Sequence, residues 1–101
     1  MKTIVVQIGN SDNKLTQSEW SQFWALTDAV LRECSHQMHF AGTSDPTSPW
    51  QNAAWIFEPR SNNSSELASA LSAVAKTFRQ DSIAVTIGDT IFVTAGKGVA
   101  K

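Results

Sequence analysis

The feature that most constrains this chain is a helix start followed by a one-sided stripe. Thr16 is followed three residues later by Glu19, the spacing of a reciprocal capping box, and Leu15 and Trp20 stand at the hydrophobic-staple positions around it. Trp20, Phe23, Trp24, Thr27, Val30, Leu31 and Cys34 then recur at intervals of three or four. That period predicts a helix over 17–34 with one largely apolar face, and such a face needs a second layer to cover it. Trp20 and Trp24 read as core because they lie on that stripe.

The covering layer is legible as strands. In Thr3-Ile4-Val5-Val6-Gln7-Ile8, Ile4, Val6 and Ile8 alternate with Thr3, Val5 and Gln7. His36–Ala41 is a short strand candidate through Met38 and Phe40. Ala53-Ala54-Trp55-Ile56-Phe57 is an apolar run closed by Pro59, which favours a buried strand. A second helix is predicted over 64–79. Leu67, Leu71, Val74 and Phe78 form its stripe, alanines fill it, Asn63 caps it, and Glu66 and Lys76 complement its dipole. Ser82–Ile87 and Thr90–Thr94 read as two strands joined by a two-residue turn at Gly88-Asp89, pairing Ile87 with Thr90, Val85 with Phe92 and Ile83 with Thr94. The order predicts an α+β fold: a βαββαβ ferredoxin-like plait with an added C-terminal hairpin strand. Two helices would lie on one face of a mostly antiparallel sheet. Residues 1–95 would form one domain and 96–101 a loose tail.

Composition narrows the function classes. The 101 residues carry eight Lys+Arg against nine Asp+Glu, a net charge of -1, which argues against non-specific nucleic-acid binding. No apolar run reaches the ~18 residues of a membrane span. The N-terminus reads as a strand and not as a signal peptide. A single cysteine, Cys34, allows no internal disulfide and suits a reducing compartment.

Catalytic signatures are absent. There is no G-x-S-x-G elbow, Walker A loop or G-x-G-x-x-G fingerprint. Cys34, His36 and His39 lie close in sequence, but C-x-H-x-x-H is not a familiar zinc spacing and a second ligand pair is missing. No metal, cofactor or enzymatic activity is expected. A metal-dependent enzyme using His36 and His39 is the most distant alternative.

Two surface segments draw more weight. Asp45, Trp50, Gln51 and Asn52 flank or follow a proline-restrained loop. There Trp50 offers area and the amides offer donors and acceptors, so this is the partner- or ligand-binding candidate. Trp50 sealing the core edge is the equally weighted alternative. The turn containing Asn10, Ser11, Lys14 and Thr16 leads from a strand into a helix and is a possible phosphate-binding turn, against the plainer reading of a turn plus cap. The apolar face carrying Ile91, Val93, Thr86 and Ile56 predicts a homodimer through the sheet, unless loop 42–52 folds across it.

Val5–Asp12 with Lys14–Gln17, Pro49–Ala53 and Arg79–Ala84 together resemble small uncharacterised proteins encoded by phages of actinobacteria. The resemblance carries no activity and no site residue. It implies a protein of the infected bacterial cytoplasm, and small proteins of that kind commonly act by binding. The expected function is therefore a non-enzymatic binding protein, a phage accessory or counter-defence factor that holds a host protein. The alternative is a small-ligand (nucleotide) binder stacking on Trp50 or Trp55.

Overall fold

The computed structural model describes residues 1–10, 12, 14–45, 50–61, 64–96 and 98–100. Its elements are β1 (Lys2–Gly9), α1 (Gln17–Cys34), β2 (Ser35–Thr43), β3 (Asn52–Pro59), α2 (Ser64–Thr77), β4 (Ala84–Asp89), β5 (Phe92–Thr94) and β6 (Gly98–Ala100). Four strands form an antiparallel sheet in the order β2-β3-β1-β4. Each β–α–β crossover skips one strand, so β3 lies between β1 and β2, and β1 between β3 and β4. This is the expected α+β plait.

The capping box forms as its spacing requires. Glu19 N donates to Thr16 Oγ1 at 3.1 Å, and Thr16 N donates to Glu19 Oε1 at 3.0 Å. The helix it starts buries Trp20, Phe23, Thr27 and Leu31, with Trp24, Val30 and Cys34 packed partly against the core. From the sheet come Ile4, Val6, Ile8, Ala53, Trp55 and Phe57, all buried on the helix side. Phe23 stacks on Phe78 at 5.1 Å and locks α1 to the end of α2. Trp55 is fully buried, and its Nε1 donates to Asp28 Oδ1 at 2.9 Å, which satisfies the indole inside the core.

The C-terminal quarter departs from the sequence reading. There is no turn at Gly88-Asp89: β4 runs through both residues, paired Gly88 to Thr3 and Asp89 to Lys2, and Thr90 N extends the ladder to Met1 O at 2.8 Å. Pairing with the central strand β1 gives every residue of β4 a ladder partner, which a hairpin onto the three-residue β5 would not do. The hairpin lies further on. β5 pairs with β6, with Val93 opposite Val99, and the turn between them uses Gly96 at φ +74°, a region that glycine enters without a Cβ penalty. Residues 98–100, expected as part of a loose tail, are thus the return strand of a separate two-stranded ribbon.

Register also separates the two sheet faces. Val85 lies opposite Val6 and Ile87 opposite Ile4, so both point to the helix side. Thr86 lies opposite Val5, which lies opposite Ile56, on the helix-free side. Ile91 and Val93 belong to the ribbon and its lead-in. The four residues expected to share one dimer face therefore lie on two different parts of the molecule.

Candidate functional site

The end of the sheet at Gly9, Thr43 and Asn52 carries most of the residues singled out from the sequence. It is closed by side-chain amides. Asn10 is buried; its Nδ2 donates to Leu15 O at 3.1 Å and to Gln51 Oε1 at 3.0 Å, while its Oδ1 accepts from Leu15 N at 3.0 Å. The Gln51 amide bonds reciprocally to that of Gln17, at 2.8 and 3.1 Å, and Gln51 O accepts from Asn10 N at 2.8 Å. Two loops and the first turn of α1 are thereby stitched together.

The same bonds decide the fate of the phosphate-turn reading. Asn10 serves Leu15 and Gln51, Thr16 caps α1, and Lys14 Nζ donates to Arg79 O at 2.9 Å. Ser11 lies outside the described residues. The described side chains of this turn bond within the fold, in the arrangement of a turn plus a helix cap.

Trp50 sits on this tied base. Its carbonyl accepts from Ser44 Oγ at 3.1 Å, and Ser44 Oγ in turn accepts from Asn52 N at 3.1 Å. Trp50 is 54% exposed and is not among the residues packed against the core, so it is not the core-edge seal weighed as its alternative. Trp20 and Trp55 are buried and Trp24 is half-buried, leaving Trp50 the most exposed of the four. Gln51 is occupied by the amide network. The Asn52 side chain lies over Gly9, where an added Cβ would stand 2.8 Å from its Oδ1. Asp45 is exposed beside the loop, and Pro46–Pro49 lie outside the described residues. Of the four candidates, Trp50 alone offers a large apolar surface.

The histidines do not assemble a centre. His36 and His39 are both exposed, and His39 Nε2 stands 3.6 Å from Glu58 Oε2. Among the described residues no three His, Cys, Asp or Glu side chains group as metal ligands. Burial first, and then Glu66 and Glu33, push the Cys34 thiol up from its ordinary value, which disfavours the thiolate a nucleophile requires.

The opposite end holds a feature the sequence reading missed. Between the C-terminus of α1, the first turn of α2 and β4 opens a cleft of about 520 Å³. Ile4, Phe57, Leu67 and Ile87 provide its apolar lining, and Lys2 and Arg60 are among its charged groups. The helix side of the edge strand β4 is uncovered there: Ile87, opposite Ile4, is exposed. The signal available in the sequence was Ile87 on one face of a strand, but only the register with β1 tells which face that is.

Compared with known families, curated proteins and solved structures, the chain matches none. Among the described residues no helix is long and apolar enough to cross a membrane.

Proposed function

We propose that this chain is a small non-enzymatic binding protein, a phage accessory or counter-defence factor that acts in the cytoplasm of an infected bacterium by holding a host protein. The observation that carries the reading is Trp50: a half-exposed indole on a backbone fastened through Ser44, Asn10, Gln17 and Gln51. A large aromatic on a pre-ordered base offers contact area at little entropic cost, which is the chemistry of an interface anchor. The raised Cys34 thiol and the unassembled histidines support a binding role over a catalytic one. The nucleotide alternative has less support, because the turn that would take a phosphate is bonded to its own fold and Trp55 is fully buried.

The test is capture from an actinobacterial lysate by immobilised protein, with Trp50→Ala alongside. A partner anchored on the indole should be retained by the unmodified chain and fall at least ~10-fold on Trp50→Ala. The urea midpoint of folding should not move. Equal capture by both proteins, or a reproducible turnover activity of the purified chain, overturns the reading.

A further inference from the structure

We infer that the β5–β6 ribbon of one copy seats in the cleft between β4 and α2 of a second copy, and that the exchange is reciprocal. The inference stands apart from the Trp50 reading, which concerns the other end of the sheet.

Two unpartnered apolar surfaces occur on the same chain. On the ribbon, Val93 and Val99 oppose each other on one face, and Ile91 leads into it. They are 71%, 64% and 63% exposed. At the cleft Ile87 is 47% exposed, and next to it on the same face of β4, outside the cleft lining, Val85 is 39% exposed, although both point to the side that is core elsewhere in the sheet. The ribbon pairs with no strand of the main sheet, and a lone two-stranded ribbon is marginal in water.

The ribbon does not occupy its own cleft, whose lining includes no residue beyond Ile87. β4 ends at Asp89 and β5 begins at Phe92, so Thr90 and Ile91 alone connect them. Thr90 is pinned, with its N–H on Met1 O and its hydroxyl hydrogen-bonded to that of Thr3 on the helix-free face. One remaining residue, spanning ~3.5 Å, is left to redirect the ribbon toward the helix side. A short hinge of this kind drives exchange between copies, and two-fold symmetry closes it.

The area suffices. The five side chains leave on the order of 500 Å² exposed per chain, so a reciprocal pair hides on the order of 1,000 Å², the lower bound of a specific interface. Cys34 lines the cleft and is the sole cysteine, which supplies the probe.

Light scattering of the full chain at micromolar concentration should give twice the 11.0 kDa chain mass. Oxidation of Val93→Cys, or of Val99→Cys should the first fail to fold, should give a covalent dimer on a non-reducing gel. Adding Cys34→Ser should abolish that band. Thr86→Lys, on the helix-free face, should leave the dimer intact. A monomeric unmodified chain overturns the inference. So does a disulfide closed within one chain, absence of a Cys34-dependent cross-link in both folded cysteine variants, a cross-link that survives Cys34→Ser, or a folded Thr86→Lys that is monomeric.

Discussion

The two ends of the sheet solve the same problem in opposite ways. Where β1 runs into α1, Asn10, Gln51 and Gln17 tie the loops together, and Lys14, Glu19 and Arg79 bind the end of α2 to the start of α1. Where β4 leaves the sheet, Thr90 bonds to Met1 and Thr3 and Lys2 forms an exposed ion pair with Asp89 at 3.2 Å, yet an apolar cleft and an apolar ribbon are left there. The first end is satisfied within one chain. The second is not, and its unburied surface suits a contact made in trans. The plait is common to both ends; the difference lies in whether the connecting segments carry amides that bond inward or aliphatics that find nothing to cover them.

The largest effect should come from cutting the tied end. Asn10→Ala removes three hydrogen bonds and strands the buried backbone groups of Leu15, which should cost about 3 kcal/mol in urea unfolding. A cost under 1 kcal/mol would mean that the amide network is not what closes this end.

Arg79 sharpens the same point. It holds φ +57° just beyond α2, the left-handed position that glycine usually takes, and Gln80 N reaches back to Ala75 O at 2.8 Å to complete the helix stop. Its guanidinium meets Glu19 Oε2 at 2.8 Å. Both Arg79→Ala and Arg79→Gly lose that ion pair, but only glycine sheds the left-handed strain. The glycine variant should therefore be the more stable of the two by about 1 kcal/mol in thermal or urea unfolding.

These contacts also mark what was legible in the sequence. The Thr16–Glu19 box and the α1 stripe are local, and the helix bounds of 17–34 follow from them. The alternation of Ile4, Val6 and Ile8 gave the buried face of β1 for the same reason. The pairing of β4 was not legible. Gly88-Asp89 has the composition of a tight turn, and only the ladder to β1, more than eighty residues away, makes it a strand end. The Asn10–Gln51 bond spans 41 residues and joins two loops that each look merely polar. The cleft is further still from local information, since it depends on where α2 lies across the sheet. Trp50 was identifiable as a candidate because prolines and amides surround it, yet its exposure is a tertiary fact.

At the open end, the Lys2–Asp89 pair should contribute little. Its side chains are 52% and 71% exposed, and an isolated surface pair is screened by water and salt. Lys2→Ala should shift stability by less than ~0.5 kcal/mol, a mirror of the tied end in which the same class of contact does almost nothing. A larger loss would show that the open end is held more firmly than its bonds imply.

The smallest expected effect concerns the pH response of the tied end, and its sign follows from Glu19. The backbone N–H of Thr16 donates to this carboxylate and Arg79 reinforces it, so its pKa in the folded chain lies below the ordinary carboxylate value. A carboxylate lowered by folding adds stability that is complete above its unfolded pKa and is lost as pH falls through the folded one. Acidification from neutral pH should therefore weaken the capping box and the Arg79 contact together, with no change above the carboxylate range. Glu19→Gln can still accept the Thr16 bond through its amide oxygen, but it no longer titrates. In urea unfolding followed from neutral to acid pH, the stability gap between Glu19→Gln and the unmodified chain should narrow as pH falls. A gap that stays constant through the carboxylate range would mean that the cap works through hydrogen-bond geometry alone, and that charge contributes nothing to the tied end.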